Sequence, residues 1–132
     1  MKTILFACVH NAGRSQMAAA LFNQRADPAK ARAVSAGTQP GDRVHPEVIA
    51  VMDEVGVDLR NARPQLLSRE LAEGADLLVT MGCGDECPFV PGLTREDWPL
   101  EDPKGKTAAQ VRSIRDDVEQ RVDALLDRDG LR

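Results

Sequence analysis

Lys2-Thr3-Ile4-Leu5-Phe6-Ala7 is an apolar, partly β-branched run that ends in Cys8, and Arg14-Ser15-Gln16-Met17-Ala18-Ala19-Ala20-Leu21-Phe22 is strongly helical in composition. Only Val9, His10, Asn11, Ala12 and Gly13 separate the two. A buried strand, a five-residue loop and a helix therefore follow one another directly. This constrains the chain to a unit in which the loop delivers its backbone to a helix N-terminus. Successive amides of such a loop point inward and form a nest for an anion, aided by the helix dipole. A sulfur at the mouth of that nest is favoured as thiolate by the same positive field. Arg14 offers a planar fork for two oxygens of a tetrahedral oxyanion, and Ser15 a hydroxyl for the sulfur. The candidate anion-binding set is thus Val9, His10, Asn11, Ala12, Gly13 and Arg14, with Cys8 as nucleophile on phosphate or a look-alike. A cysteine ending an apolar strand is also often an inert packed thiol. Its place between strand and helix, with Asn and Gly in the loop and Ser after Arg, favours the reactive reading.

The chain has 132 residues, enough for one domain with its own core, and the reading is a single domain over residues 1–132. No segment approaches membrane-spanning length, and a net charge of −4 argues against nucleic acid or an anionic membrane as partner. Leu5-Phe6-Ala7-Cys8 imitates a lipoprotein cleavage box, but the apolar stretch before it is too short for a signal peptide. A cytoplasmic location is expected. Three cysteines are an odd number for a disulfide framework, and in a reducing compartment such residues are more often catalytic, redox-active or metal-binding.

Apolar runs at 3–7, 32–36 and 76–81 read as interior parallel strands, with a fourth near Glu96 to Leu100. Helical patterns separate them. One runs from Arg14 to about Arg25. Another has Pro46 in its first turn and Gly56 as its stop, and a short one spans Ser68 to Glu73. The last opens on Thr107-Ala108-Ala109-Gln110, a capping box, and carries Val111, Ile114, Val118, Val122, Leu125 and Leu126 as a core stripe, with Gly130 past its end. Alternating strands and helices predict an α/β domain with a four-stranded parallel sheet and helices on both faces. Ligands of such sheets bind at the carboxyl ends of the strands, where Cys8 and Cys83 both fall.

Gly82-Cys83-Gly84-Asp85-Glu86-Cys87-Pro88 follows the third strand. Two thiols with three residues between them, beside flexible glycines, are able to close a small disulfide. This supports a redox relay in which Cys83 attacks Cys8 and Cys87 then attacks Cys83. Cys83 and Cys87 as ordinary small residues, or zinc held by Cys8, His10, Cys83 and Cys87, are the competing readings, and a single Cys-x3-Cys is a poor zinc signature. Asp102, before Pro103 on a loop leaving the active edge, is a candidate general acid. Position alone does not separate it from Glu101.

Cys8 through Ala18 resembles the signature loop of the arsenate reductases built on the low-molecular-weight tyrosine phosphatase fold. Ser35-Ala36-Gly37-Thr38, Val44-His45-Pro46, Val79-Thr80-Met81-Gly82-Cys83 and Asp97-Trp98 through Asp102-Pro103 are similar to further family segments in the same order. The resemblance implies a cytoplasmic arsenate reductase acting in arsenical resistance, monomeric, with phosphate or sulfate as mimics of its substrate. It implies no cofactor, with electrons from thioredoxin or a glutaredoxin-like protein. By resemblance Cys8 is the nucleophile, Arg14 the oxyanion clamp, Ser15 the hydroxyl on the thiolate, and Asn11 the residue that shapes the loop. Asp102 is then the general acid in preference to Glu101, and Cys83 and Cys87 the relay pair. The implied disulfides are Cys8–Cys83, then Cys83–Cys87.

The chain also departs from its relatives. Ala19 stands where some carry a glutamate that helps hold a structural potassium ion, and Arg63 and Gln65 fall where other ligands arise, so no metal is expected. His10 is expected to face solvent, and His45 to start a helix. A phosphatase working through a phosphocysteine is the main alternative, and a non-catalytic oxyanion sensor another. The absence of Tyr and the Lys104-Gly105 pair after Pro103 tell against an aryl phosphate site.

Overall fold

The computed structural model describes residues 1–82 and 91–132. Its elements are β1 (Lys2–Cys8), α1 (Arg14–Arg25), β2 (Ala31–Gly37), α2 (Pro46–Asp53), α3 (Arg69–Glu73), β3 (Leu77–Thr80), β4 (Thr94–Asp97) and α4 (Ala108–Asp129). The four strands form one parallel sheet in the order β2-β1-β3-β4. The chain moves outward from β1 to β2 and then returns across β1 to β3. Strand order reverses there, and in open α/β sheets that is where the ligand crevice opens.

Alternation along β1 divides the core. Ile4, Phe6 and Cys8 face the larger cluster with α1, α2 and α4, whereas Leu5 and Ala7 join Ala36, Leu67, Ala72 and Leu78 on the opposite face. Both faces are covered, the second by the five-residue α3 and its flanking chain. All six expected stripe residues of α4 are buried, and its capping box is formed by Thr107 and Gln110. Gly130 closes this helix at φ 65°. At the end of α2, Val57 N–H donates to Met52 O at 3.0 Å and Gly56 N–H to Asp53 O at 3.1 Å, with Gly56 at φ 79°. Gly56 is thus the expected stop. Arg115 fastens the two helices, donating to Val51 O (2.7 Å) and to Glu54 (2.8 Å).

One boundary is corrected. The fourth strand is Thr94–Asp97 and not the segment near Glu96 to Leu100. It is an edge strand with Thr94, Arg95 and Asp97 exposed, so it lacks apolar alternation. The buried Trp98 just beyond it, whose ring lies 5.5 Å from that of Phe6, pulls a sequence-based boundary toward the C-terminus. No helix among the described residues is long and apolar enough to cross a membrane.

Candidate active site

The register aligns Cys8 with Gly37, Ala7 with Thr80, and Thr80 with Asp97, so the strand ends share one edge. The loop from Val9 to Gly13 rises from that edge. Its carbonyls are held by donors outside the loop's concave side. Those of Cys8, Val9, His10 and Ala12 accept from the amides of Thr38, Gln39, Gly41 and His45 at 2.8–3.2 Å. Gly13 O accepts from Met17 N at 3.0 Å, and Asn11 O from Gln16 Nε2 at 3.1 Å. The loop peptides are trans. In a trans peptide each N–H points opposite to the preceding C=O. With the carbonyls turned outward, the amides of His10 through Arg14 turn inward, the arrangement an anion nest requires.

Gly37 makes room for this loop. A Cβ there would stand 2.6 Å from Val9 O and 2.9 Å from Asn11 N. Asn11 has φ 51°, left-handed for a non-glycine residue, and is fully buried. Its side chain compensates. Oδ1 accepts from Gln65 N–H (3.0 Å) and Gln16 Nε2 (3.1 Å), while Nδ2 donates to Ser15 Oγ (2.7 Å).

Cys8 is 2% exposed. Its Sγ lies 2.8 Å from Ser15 Oγ and accepts from Asn11 N–H at 3.3 Å. The guanidinium of Arg14, the first residue of α1, reaches the loop after β4. Nη1 donates to Leu100 O at 3.2 Å, and Nη2 stands 3.9 Å from Asp102 Oδ2. Gly82, at φ 90°, lies against this group, and a Cβ there would be 2.7 Å from Nη1.

The loop that carries Asp102 leaves β4 through Trp98, whose N–H donates to Thr80 O at 2.8 Å. Asp102 Oδ1 accepts from Lys104 N–H at 3.0 Å, and Pro103 is buried against Gly13. Glu101 is directed away and pairs with Lys106 at 3.4 Å. The structure therefore brings together Cys8, Val9, His10, Asn11, Ala12, Gly13, Arg14, Ser15 and Asp102. Cys83 and Cys87 lie outside the described residues. Among the described residues no group of three or more His, Cys, Asp or Glu is arranged to hold a metal ion.

His10 is partly open to solvent, and its Nδ1 lies 3.0 Å from Gln39 O, a contact at the exposed surface of the loop. A carbonyl only accepts, so this hydrogen bond needs the proton on Nδ1. His45 is the residue before the first turn of α2, as expected, and its N–H is used by Ala12 O. The sequence reading passes over Gln16 as a functional residue. The available signal is that it adjoins Ser15 in the first turn of α1, facing the loop.

The chain is similar to several known proteins. A Halobacterium salinarum protein, named provisionally as an arsenate reductase, is 41% identical over 92% of this chain and 89% of its own length. The glutaredoxin arsenate reductase of Synechocystis is 36% identical over 96% of this chain and 97% of its own. The thioredoxin-dependent arsenate reductase structure of Corynebacterium glutamicum superposes with a TM-score of 0.84 at 36% identity, over 96% of this chain and 61% of that one. Residues 3–130 match the model described as low molecular weight phosphotyrosine protein phosphatase, and the chain belongs to that family.

Proposed function

We propose that this chain reduces arsenate to arsenite, with Cys8 as nucleophile and a dithiol protein as the source of electrons. The observation that carries this reading is the combination of an inward-turned amide loop with a sulfur that is bonded by Ser15 and Asn11 at its base. That arrangement suits a tetrahedral oxyanion attacked by sulfur. The choice of arsenic over phosphorus rests on the relatives named for arsenate reduction and on the three cysteines.

Arsenate binds in the nest with two oxygens on Arg14. Cys8 Sγ attacks arsenic, an As–O bond breaks, and the oxygen leaves as water with a proton from Asp102. Cys83 then attacks Cys8 Sγ. The S–As bond breaks with its electron pair passing to arsenic, so As(V) becomes As(III) while two thiols become one disulfide. Cys87 attacks Cys83 and frees Cys8, which leaves a Cys83–Cys87 disulfide for a thioredoxin- or glutaredoxin-type dithiol. Phosphate and sulfate occupy the same cradle as mimics. No resident cofactor enters these steps, and the chain acts as a monomer in the cytoplasm.

The test is a single turnover of the fully reduced protein without external reductant. The reading expects one arsenite per chain and an intramolecular disulfide. Cys87→Ser should still release one arsenite and stop at Cys8–Cys83, and Cys8→Ser should release none. Arsenite release by Cys8→Ser would overturn the reading. So would rapid hydrolysis of a phosphomonoester with no arsenite formed by the wild type.

A further inference from the structure

We infer that Gln16 is a positioning residue that sets the direction of the hydrogen bond at the Cys8 sulfur. The side chains of Asn11 and Ser15 link Gln16 to the sulfur. Ser15 Oγ has one proton and two close neighbours, Cys8 Sγ at 2.8 Å and Asn11 Nδ2 at 2.7 Å. The Asn11 amide nitrogen only donates, so Ser15 accepts there and its own proton is directed at sulfur. Everything then depends on the orientation of the Asn11 amide. Were it turned over, Oδ1 would face Ser15, and the hydroxyl proton would leave the sulfur for that oxygen.

Two donors hold the amide as it is, the Gln65 N–H at 3.0 Å and Gln16 Nε2 at 3.1 Å, both on Oδ1. The orientation of Gln16 is itself forced. Its nitrogen also faces Asn11 O at 3.1 Å and Arg63 O at 3.2 Å, and main-chain carbonyls only accept. Gln16 is 6% exposed, so water does not substitute for its donors. One buried amide therefore ties the left-handed Asn11 backbone, the Asn11 side chain and the 63–65 segment together. The polarity of that assembly ends at the nucleophile.

The inference rests on Cys8 being the reactive thiol but not on which oxyanion it attacks, so its test needs no substrate. The experiment follows alkylation of Cys8 by iodoacetamide as a function of pH in a Cys83→Ser/Cys87→Ser background. Gln16→Met keeps the side chain's shape and removes its donors. The expected result is a profile moved upward by about one pH unit, a roughly tenfold slower reaction at fixed pH, the size of one lost buried hydrogen bond. In a Ser15→Ala background Gln16→Met should cause no further displacement, because the path through the hydroxyl is already cut. A Gln16→Met profile that superposes on the parent, even with a lowered Tm, would show that Gln16 only braces the fold. A displacement that persists in Ser15→Ala would equally overturn the inference. Should Gln16→Met fail to fold, Gln16→Leu, which also removes the donors and adds no charge, is read by the same two comparisons.

Discussion

Pro103 packs so closely on Gly13 that a Cβ added to Gly13 would lie 2.5 Å from Pro103 Cγ. Gly13 ends the loop after Cys8, and Pro103 follows Asp102, the proposed acid, so this contact joins the two halves of the candidate site. Gly13→Ala should push the Asp102 loop outward. We expect kcat to fall by about tenfold or more, because a group misplaced by an ångström loses much of its catalytic effect. Stability should fall by about 1–3 kcal/mol from overpacking. Steady-state kinetics beside thermal unfolding check both, and unchanged kcat would separate the contact from catalysis.

Gly82 supports Arg14 in a different way. Its φ of 90° disfavours any side chain, and a Cβ would meet Nη1 at 2.7 Å. The guanidinium is already bound to Leu100 O, so it has little freedom to yield without losing that bond. Gly82→Ala should weaken phosphate binding by about tenfold, the value of one charge-assisted hydrogen bond. Calorimetric titration with phosphate measures it.

The two neighbouring carboxylates should differ in their effect on kcat. Asp102 stands 3.9 Å from Arg14, whereas Glu101 is 77% exposed and pairs with Lys106. Asp102→Asn should lower kcat by about 10²-fold, at the lower end of the usual general-acid contribution, and Glu101→Gln by less than about twofold. Equal losses in the two variants would remove Asp102 from its assigned role.

Away from the site, Glu54 should contribute to stability against acid. Hydrogen bonds from Arg112 and then Arg115 lower its carboxyl from the ordinary 4.5 to about 2. A depressed folded-state value means that the stabilisation is complete above 4.5 and is lost as pH falls toward about 2. Thermal unfolding followed from pH 6 to 2 should show a decline that Glu54→Gln flattens. An identical decline in both proteins would assign it to other carboxylates.

The β1–loop–α1 unit was legible because strand, loop and helix signals adjoin without a gap. The capping box at Thr107 and the stop at Gly56 were legible for a similar reason, since each is encoded by residues adjacent in the chain. β4 was displaced because an edge strand carries no two-faced apolar pattern, and Trp98 belongs to the core without belonging to the strand. Asp102 and Glu101 are neighbours in sequence, and only the docking of Pro103 on Gly13 turns one toward Arg14. Gln16 escaped notice because its three acceptors come from residues 11 and 63. No local pattern announces such convergence.

Arsenate-dependent NADPH consumption with thioredoxin and thioredoxin reductase present tests arsenate reduction and the cysteine relay together. The account predicts sustained turnover by the wild type, none by Cys8→Ser, and a halt after one turnover in Cys87→Ser. Continued turnover in Cys87→Ser would contradict the relay. No arsenate-dependent consumption by the wild type, with thioredoxin replaced by glutaredoxin and glutathione giving none either, would contradict arsenate reduction itself.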